Sequence, residues 1–181
     1  MKITHLDIQG LVMIEPTVFN DERGHFFESF SIPKLENSGI PVHFPQENQS
    51  LSHKGVLRGL HFQAPPFDQG KLVRVTKGAV DDVVVDIRKS SSTFGRHLKI
   101  RLDDIHHRML WIPPGFAHGF ITLEENTVFL YKVTKVYNKA SETGILWNDP
   151  ELNIDWGISS PVVSGKDMEL PLFKDFSPVF D

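Results

Sequence analysis

The chain has 181 residues, of which 40% are hydrophobic and 23% charged, with a formal net charge of −4 and no cysteine. That length and balance describe one soluble globular domain over residues 1–181, and no long basic run offers a surface for nucleic acid. The missing cysteines exclude disulfides, thiolate zinc sites and a cysteine nucleophile and fit a reducing compartment, and every apolar run is far below membrane-spanning length.

In chain order, Met1 to Gly10 is too polar for the apolar region of a signal peptide, so a cytoplasmic protein is expected. Leu11 to Phe19 alternates loosely around Pro16, and Gly24 to Phe30 is aromatic-rich; both read as strands. Ile32 to Asn37 reads as a turn or two of helix ending near Gly39. Further strands are expected at Val56 to Gln63, Lys71 to Thr76, Ala79 to Arg88, His97 to Leu102, Met109 to Ile112, Ala117 to Leu123 and Thr127 to Val136. Lys77-Gly78 and Glu124-Glu125-Asn126 supply turns between neighbouring strands. The tail from Ser159 to Asp181 is rich in proline and serine and is expected to wrap the surface. Many strands, few helices, 14 phenylalanines, 13 glycines and 12 prolines indicate an all-β antiparallel sandwich or barrel.

Gly55 to Gln63, reading GVLRGLHFQ, places Arg58, Gly59 and His61 together, which points to proton chemistry beside an anionic substrate. Trp111 to Phe120, WIPPGFAHGF, adds His118 in a turn framed by proline and glycine. Strand parity sets the side chains, because successive residues face opposite ways. Lys71 shares a face with Val73 and Val75, and Tyr131 shares one with Phe129 and Val133. His61 shares a face with Leu57 and Gly59, and the missing side chain of Gly59 leaves room for a ligand. Arg58 falls on the opposite face, so a bulge, a twist or a second subunit must bring it to His61. A carboxylate behind His61 would fix its tautomer and stabilise the imidazolium; on spacing alone Asp82 and Asp86 are equal candidates.

The pairing of GxLHxQ with PPGxxH resembles the cupin superfamily of small jelly-roll barrels. Metal-binding cupins carry a His-x-His pair and a downstream glutamate, yet here Gln63 stands in the second histidine's place and Lys71 in the glutamate's region. Two imidazoles beside a lysine make a poor divalent site, so no metal is expected. Six segments in order resemble more closely the dTDP-4-dehydrorhamnose 3,5-epimerase family: DERGHFFE from Asp21, QENQSLS from Gln46, GVLRGLHFQ, GKLVRV from Gly70, WIPPGFAHGF, and WNDP from Trp147.

The resemblance implies epimerisation beside the C4 ketone of a dTDP-linked 4-keto-6-deoxysugar, with no cofactor. His61 would be the base, since imidazole titrates near ~6.5, with Asp167 behind it. Lys71 would stabilise the enolate, His118 would assist or brace its turn, and Tyr131 would be the acid on the opposite face. Arg23 and Arg58 would hold the diphosphate through their forked guanidinium groups. Phe26 and Glu28 would contact thymine from a neighbouring subunit, implying a homodimer with an exchanged strand. Gln46 and Asn48 would bond the diphosphate or sugar, and Tyr137 would pack on nucleotide or sugar. A single-carbon epimerase and a non-catalytic or metal-binding cupin are the alternatives.

Overall fold

The computed structural model describes residues 1–181, and strands dominate it. They are β1 (Lys2–His5), β2 (Val12–Glu15), β3 (Phe19–Asp21), β4 (Gly24–Phe26), β5 (Gln46–Ser52), β6 (Val56–Gln63) and β7 (Lys71–Lys77). There follow β8 (Ala79–Asp86), β9 (His97–Asp103), β10 (Met109–Ile112), β11 (Phe116–Thr122), β12 (Thr127–Val133), β13 (Glu142–Gly144) and β14 (Val162–Val163). Two single-turn helices interrupt them, α1 (Ile32–Leu35) and α2 (Gly165–Met168).

One sheet runs β1-β2-β10-β7-β12-β5 and the other β13-β6-β11-β8-β9, with β14 added in parallel to β6 and β3–β4 a separate hairpin. The two sheets face each other as the jelly-roll sandwich of the cupins. Between them lies a core of Val73, Val75, Val80, Val84, Leu110, Phe120 and Phe129, all buried. Each sheet is also covered outside. Leu35 and Ile40 pack with Val12, Leu72 and Trp111 on the first. Leu152, Trp156 and Phe173 pack with Leu57, Val83 and Val85 on the second. Covering on both faces explains why β8 reads as a continuous valine run rather than an alternation.

The expected elements appear with shifted ends. The first two candidate strands shrink to Val12–Glu15 and Gly24–Phe26, since Pro16 cannot donate to a ladder and the chain leaves the sheet there. β12 stops at Val133 rather than Val136. α1 gives way to a 3₁₀ turn at Glu36–Ser38 and ends on Gly39 at φ 75°, the left-handed terminus that glycine permits. Strands β1, β5, β13 and β14 fall where the sequence offers no strand signature. The tail does more than wrap the surface: β14 extends the second sheet, Phe173 is buried, and α2 carries Asp167 inward.

A bulge resolves the position of Arg58. β6 and β11 pair His61 with His118 and Arg58 with Phe120, so Gly59 and Leu60 together stand opposite Gly119. The extra residue flips the parity of everything before it, and Arg58 and His61 both face the space between the sheets. Gly59 permits this with φ 142°, and a Cβ there would come within 2.5 Å of the Gly119 Cα. Leu57, expected on the face of His61, is turned to the outer core instead.

Candidate active site

A cavity of about 720 Å³ opens between the sheets, lined by residues of β5, β6, β7, β11 and β12. From the second sheet come Arg58, His61 and His118; from the first come Asn48, Lys71 and Tyr131; Glu142, Lys166 and Asp167 close one side. Each inward side chain occupies a position that in the rest of the sandwich holds a core residue. The register shows it: Tyr131 pairs with Val73 and Lys71 with Val133.

His61 Nε2 lies 2.7 Å from Asp167 Oδ1. The other carboxylate oxygen accepts the Gly59 N–H at 3.2 Å, and the Ser164 hydroxyl caps α2 by accepting the Asp167 N–H at 3.1 Å. Burial pushes the Asp167 carboxyl upward, but these hydrogen bonds, led by that of His61, outweigh it and hold it below the usual carboxylate range. An ionised Asp167 fixes the ring as an Nε2–H donor and leaves Nδ1 to accept a proton. The partner of His61 is therefore Asp167. Asp82 binds His118, and Asp86 is taken by Arg88, Ser91 and Thr93.

Lys71 reaches across the cavity to donate to the His61 carbonyl at 3.2 Å. Burial lowers its pKa to about 8, and the charges of Asp82 and Glu142 limit the fall. His118 is also buried, and desolvation lowers its pKa despite the Asp82 carboxylate at 2.8 Å. The second oxygen of Asp82 has no hydrogen-bond partner; the Asp82 charge acts on that of Lys71 through space, which favours the ammonium. His118 thus stands as a neutral ring beside the half-buried Lys71 ammonium.

Tyr131 rises from the sheet facing His61, with Asn48 directly across from it on β5. Burial raises the Tyr131 pKa, so the phenol keeps its proton. A base, a cation and a protonated phenol on facing walls can remove a carbon-bound proton, hold the resulting enolate and return a proton from the other side.

The expected nucleotide contacts divide into two groups. Arg58, held by the Ser52 hydroxyl at 3.2 Å, lines the cavity. Gln46 donates to Asn48 at 2.9 Å and also accepts the Tyr137 N–H. Tyr137 is half exposed at the rim because β12 has ended, and strand parity does not extend to it. Arg23, Phe26 and Glu28 lie outside the cavity within this chain. Arg23 is paired with Asp21 at 2.5 Å, Phe26 is 67% exposed on the β3–β4 hairpin, and Glu28 is paired with Lys34.

Sequence reasoning missed Glu142 and Lys166. Glu142 accepts from the Tyr137 hydroxyl at 2.6 Å and pairs with Lys166 at 2.5 Å, joining the rim to α2 beside Asp167. The only sequence signal was the position of Lys166 next to Asp167. No cluster of three or more histidine, aspartate or glutamate side chains is arranged to hold a metal ion, and His61 and His118 are each committed to one carboxylate.

The family model for dTDP-4-dehydrorhamnose 3,5-epimerase matches residues 5–175. The dTDP-4-dehydrorhamnose 3,5-epimerase of Salmonella typhimurium is 52% identical over 167 residues, 91% of each chain. The crystal structure of the Bacillus anthracis enzyme with TDP and PPi bound is 44% identical with a TM-score of 0.93, covering 95% of this chain and 99% of that one. The Legionella pneumophila epimerase in complex with dTDP-4-keto-L-rhamnose is 45% identical with a TM-score of 0.92, covering 97% and 94%.

Proposed function

The chain belongs to the dTDP-4-dehydrorhamnose 3,5-epimerase family, and from that premise we propose how its residues divide the reaction. The protein epimerises carbons 3 and 5 of dTDP-4-dehydro-6-deoxy-D-glucose, giving dTDP-4-dehydro-L-rhamnose. His61, oriented by Asp167, takes the proton from the carbon beside the C4 ketone. The electron pair moves onto the ketone oxygen, and the Lys71 ammonium stabilises the enolate. Tyr131 delivers its phenolic proton to the opposite face of that carbon. Solvent then reprotonates the phenolate and relieves His61 of its proton, so one set of groups can serve both carbons in turn. The observation that carries this reading is the 2.7 Å His61–Asp167 pair on one wall with a protonated phenol on the facing wall.

Arg58, Gln46 and Asn48 hold the diphosphate and sugar, His118 lines the sugar pocket, and Tyr137 packs at the rim. We assign Arg23, Phe26 and Glu28 to a partner's site. Phe19 and Phe26 pair across the β3–β4 hairpin and stand 62% and 67% exposed, which suits a segment made to bury against a second copy. Sedimentation equilibrium is expected to give twice the chain mass; a monomer at micromolar concentration would leave those three residues without a site. We place the protein in the cytoplasm as a single domain spanning residues 1–181, since a chain without cysteine fits a reducing compartment.

Tyr131→Phe separates the two half-reactions. The variant is expected to exchange the substrate's proton with heavy water through His61, while epimer formation falls by about 10²-fold or more. Epimer formation at the wild-type rate would remove Tyr131 from the acid role.

A further inference from the structure

The inner face of β5 presents Gln46, Asn48, Ser50 and Ser52 in succession. Three of the four are already engaged: Gln46 with Asn48 and the Tyr137 N–H, and Ser52 with Arg58. Ser50 is different. Its hydroxyl is buried, lines the cavity and has no hydrogen-bond partner. A buried hydroxyl without a partner carries a desolvation cost that native proteins seldom leave standing, so the empty partner position calls for a ligand atom.

Its position narrows which atom. Ser50 pairs with Phe129, and Phe129 stacks on Phe120 at 4.1 Å; Phe120 in turn pairs with Arg58 on β6. Ser50 and Arg58 therefore flank the same aromatic pair from the two sheets. One inward step along β5 leads to Ser52, which touches Arg58, and the other leads to Asn48, which pairs with Tyr131. Ser50 thus stands between the guanidinium that would hold a diphosphate and the phenol that would protonate a sugar. In a nucleoside diphospho-sugar the group occupying that span is the sugar-bearing β-phosphate.

We propose that the Ser50 hydroxyl is a substrate-binding group that donates a hydrogen bond to the β-phosphate, fixing where the diphosphate ends and the sugar begins. The proposal rests on the reading above of Arg58 and Tyr131. A hydrogen bond to a charged oxygen is worth about tenfold or more in affinity.

The test is calorimetric titration of wild-type protein and Ser50→Ala with dTDP and with thymidine 5′-monophosphate, which lacks the β-phosphate. Removing the hydroxyl adds only one atom's volume to a cavity that is already open, and matched thermal melts check the fold. Ser50→Ala is expected to weaken dTDP by about tenfold while moving the monophosphate by less than about twofold. Unchanged dTDP affinity would overturn the proposal, as would equal losses for both nucleotides. A wild-type protein that fails to bind dTDP at all would instead overturn the nucleotide reading of the cavity, and the Ser50 assignment with it.

Discussion

Replacing His61 with glutamine should lower kcat by about 10³-fold, within the ~10²–10⁴ that a positioned general base supplies. Glutamine is the informative replacement because its side-chain Nε2–H₂ takes the place of the imidazole Nε2 and can still donate to Asp167. That carboxylate is only 5% exposed and already accepts the Gly59 N–H, while the Asp167 backbone N–H donates to the Ser164 hydroxyl that caps α2. Alanine would leave it short of a donor at a cost of about 1–3 kcal/mol, and a loss of activity could then reflect a loosened α2. With glutamine the fold is expected to survive, so the missing activity reports the missing base. A tenfold barrier change corresponds to about 1.4 kcal/mol, so the expected loss is about 4 kcal/mol of transition-state stabilisation. A variant within tenfold of wild type would assign the base elsewhere.

The second large effect is expected at Lys71. Burial lowers its pKa to about 8, so the ammonium is the acid form present below that pH and lost above it. If the charged form stabilises the enolate, kcat should fall on the alkaline side as pH rises through about 8. Lys71→Met keeps most of the side chain's volume and removes the charge. It should lower kcat by about 10²–10³-fold, the range seen when one oxyanion donor is deleted, and the residual activity should lose its alkaline fall. The assignment fails if the methionine variant keeps the alkaline limb, or if wild-type activity is flat from pH 7 to 9. The neighbours of Lys71 sharpen this sign. Asp82 and Glu142 both favour the charged lysine, whereas burial disfavours it more strongly, so the net shift is downward.

How much of this was legible depended on where the regular strand rules apply. Lys71 and Tyr131 could be turned inward from parity alone, because β7 and β12 run unbroken through them with valine and phenylalanine on the same face. Arg58 could not, because Gly59 and Leu60 crowd against a single residue and reverse the parity between Arg58 and His61. The glycines were visible in the sequence, but the bulge they permit is a property of the pairing with β11. β5 escaped notice for a related reason. Gln-Glu-Asn-Gln-Ser-Leu-Ser lacks the β-branched and aromatic residues that signal a strand. Its inner face borders a cavity instead of a core, so it carries the polar groups a substrate needs.

Asp167 was out of reach of local patterns. It lies 106 residues from His61 in a proline- and serine-rich tail, and only the family resemblance pointed to it. Its arrival depends on Trp156 and Phe173 burying against the outside of the second sheet and on β14 pairing with β6. Spacing offered Asp82 and Asp86 equally, and both prove to serve other partners. Asp82 turns to His118, while Asp86 braces the loop through Arg88, Ser91 and Thr93. Glu142 illustrates the same limit, since its partners Tyr137 and Lys166 come from segments on either side of β13.

Proton abstraction by His61 followed by reprotonation from Tyr131 requires that the hydrogens at carbons 3 and 5 come from solvent. Incubating the protein with dTDP-4-dehydro-6-deoxy-D-glucose in heavy water and reading the sugar by NMR tests this directly. Deuterium should appear at both carbons in the epimerised product with wild-type protein, and at neither on the same timescale with His61→Gln. Epimerised product without solvent deuterium would contradict proton abstraction altogether, and deuterium at only one carbon would contradict a 3,5-epimerase.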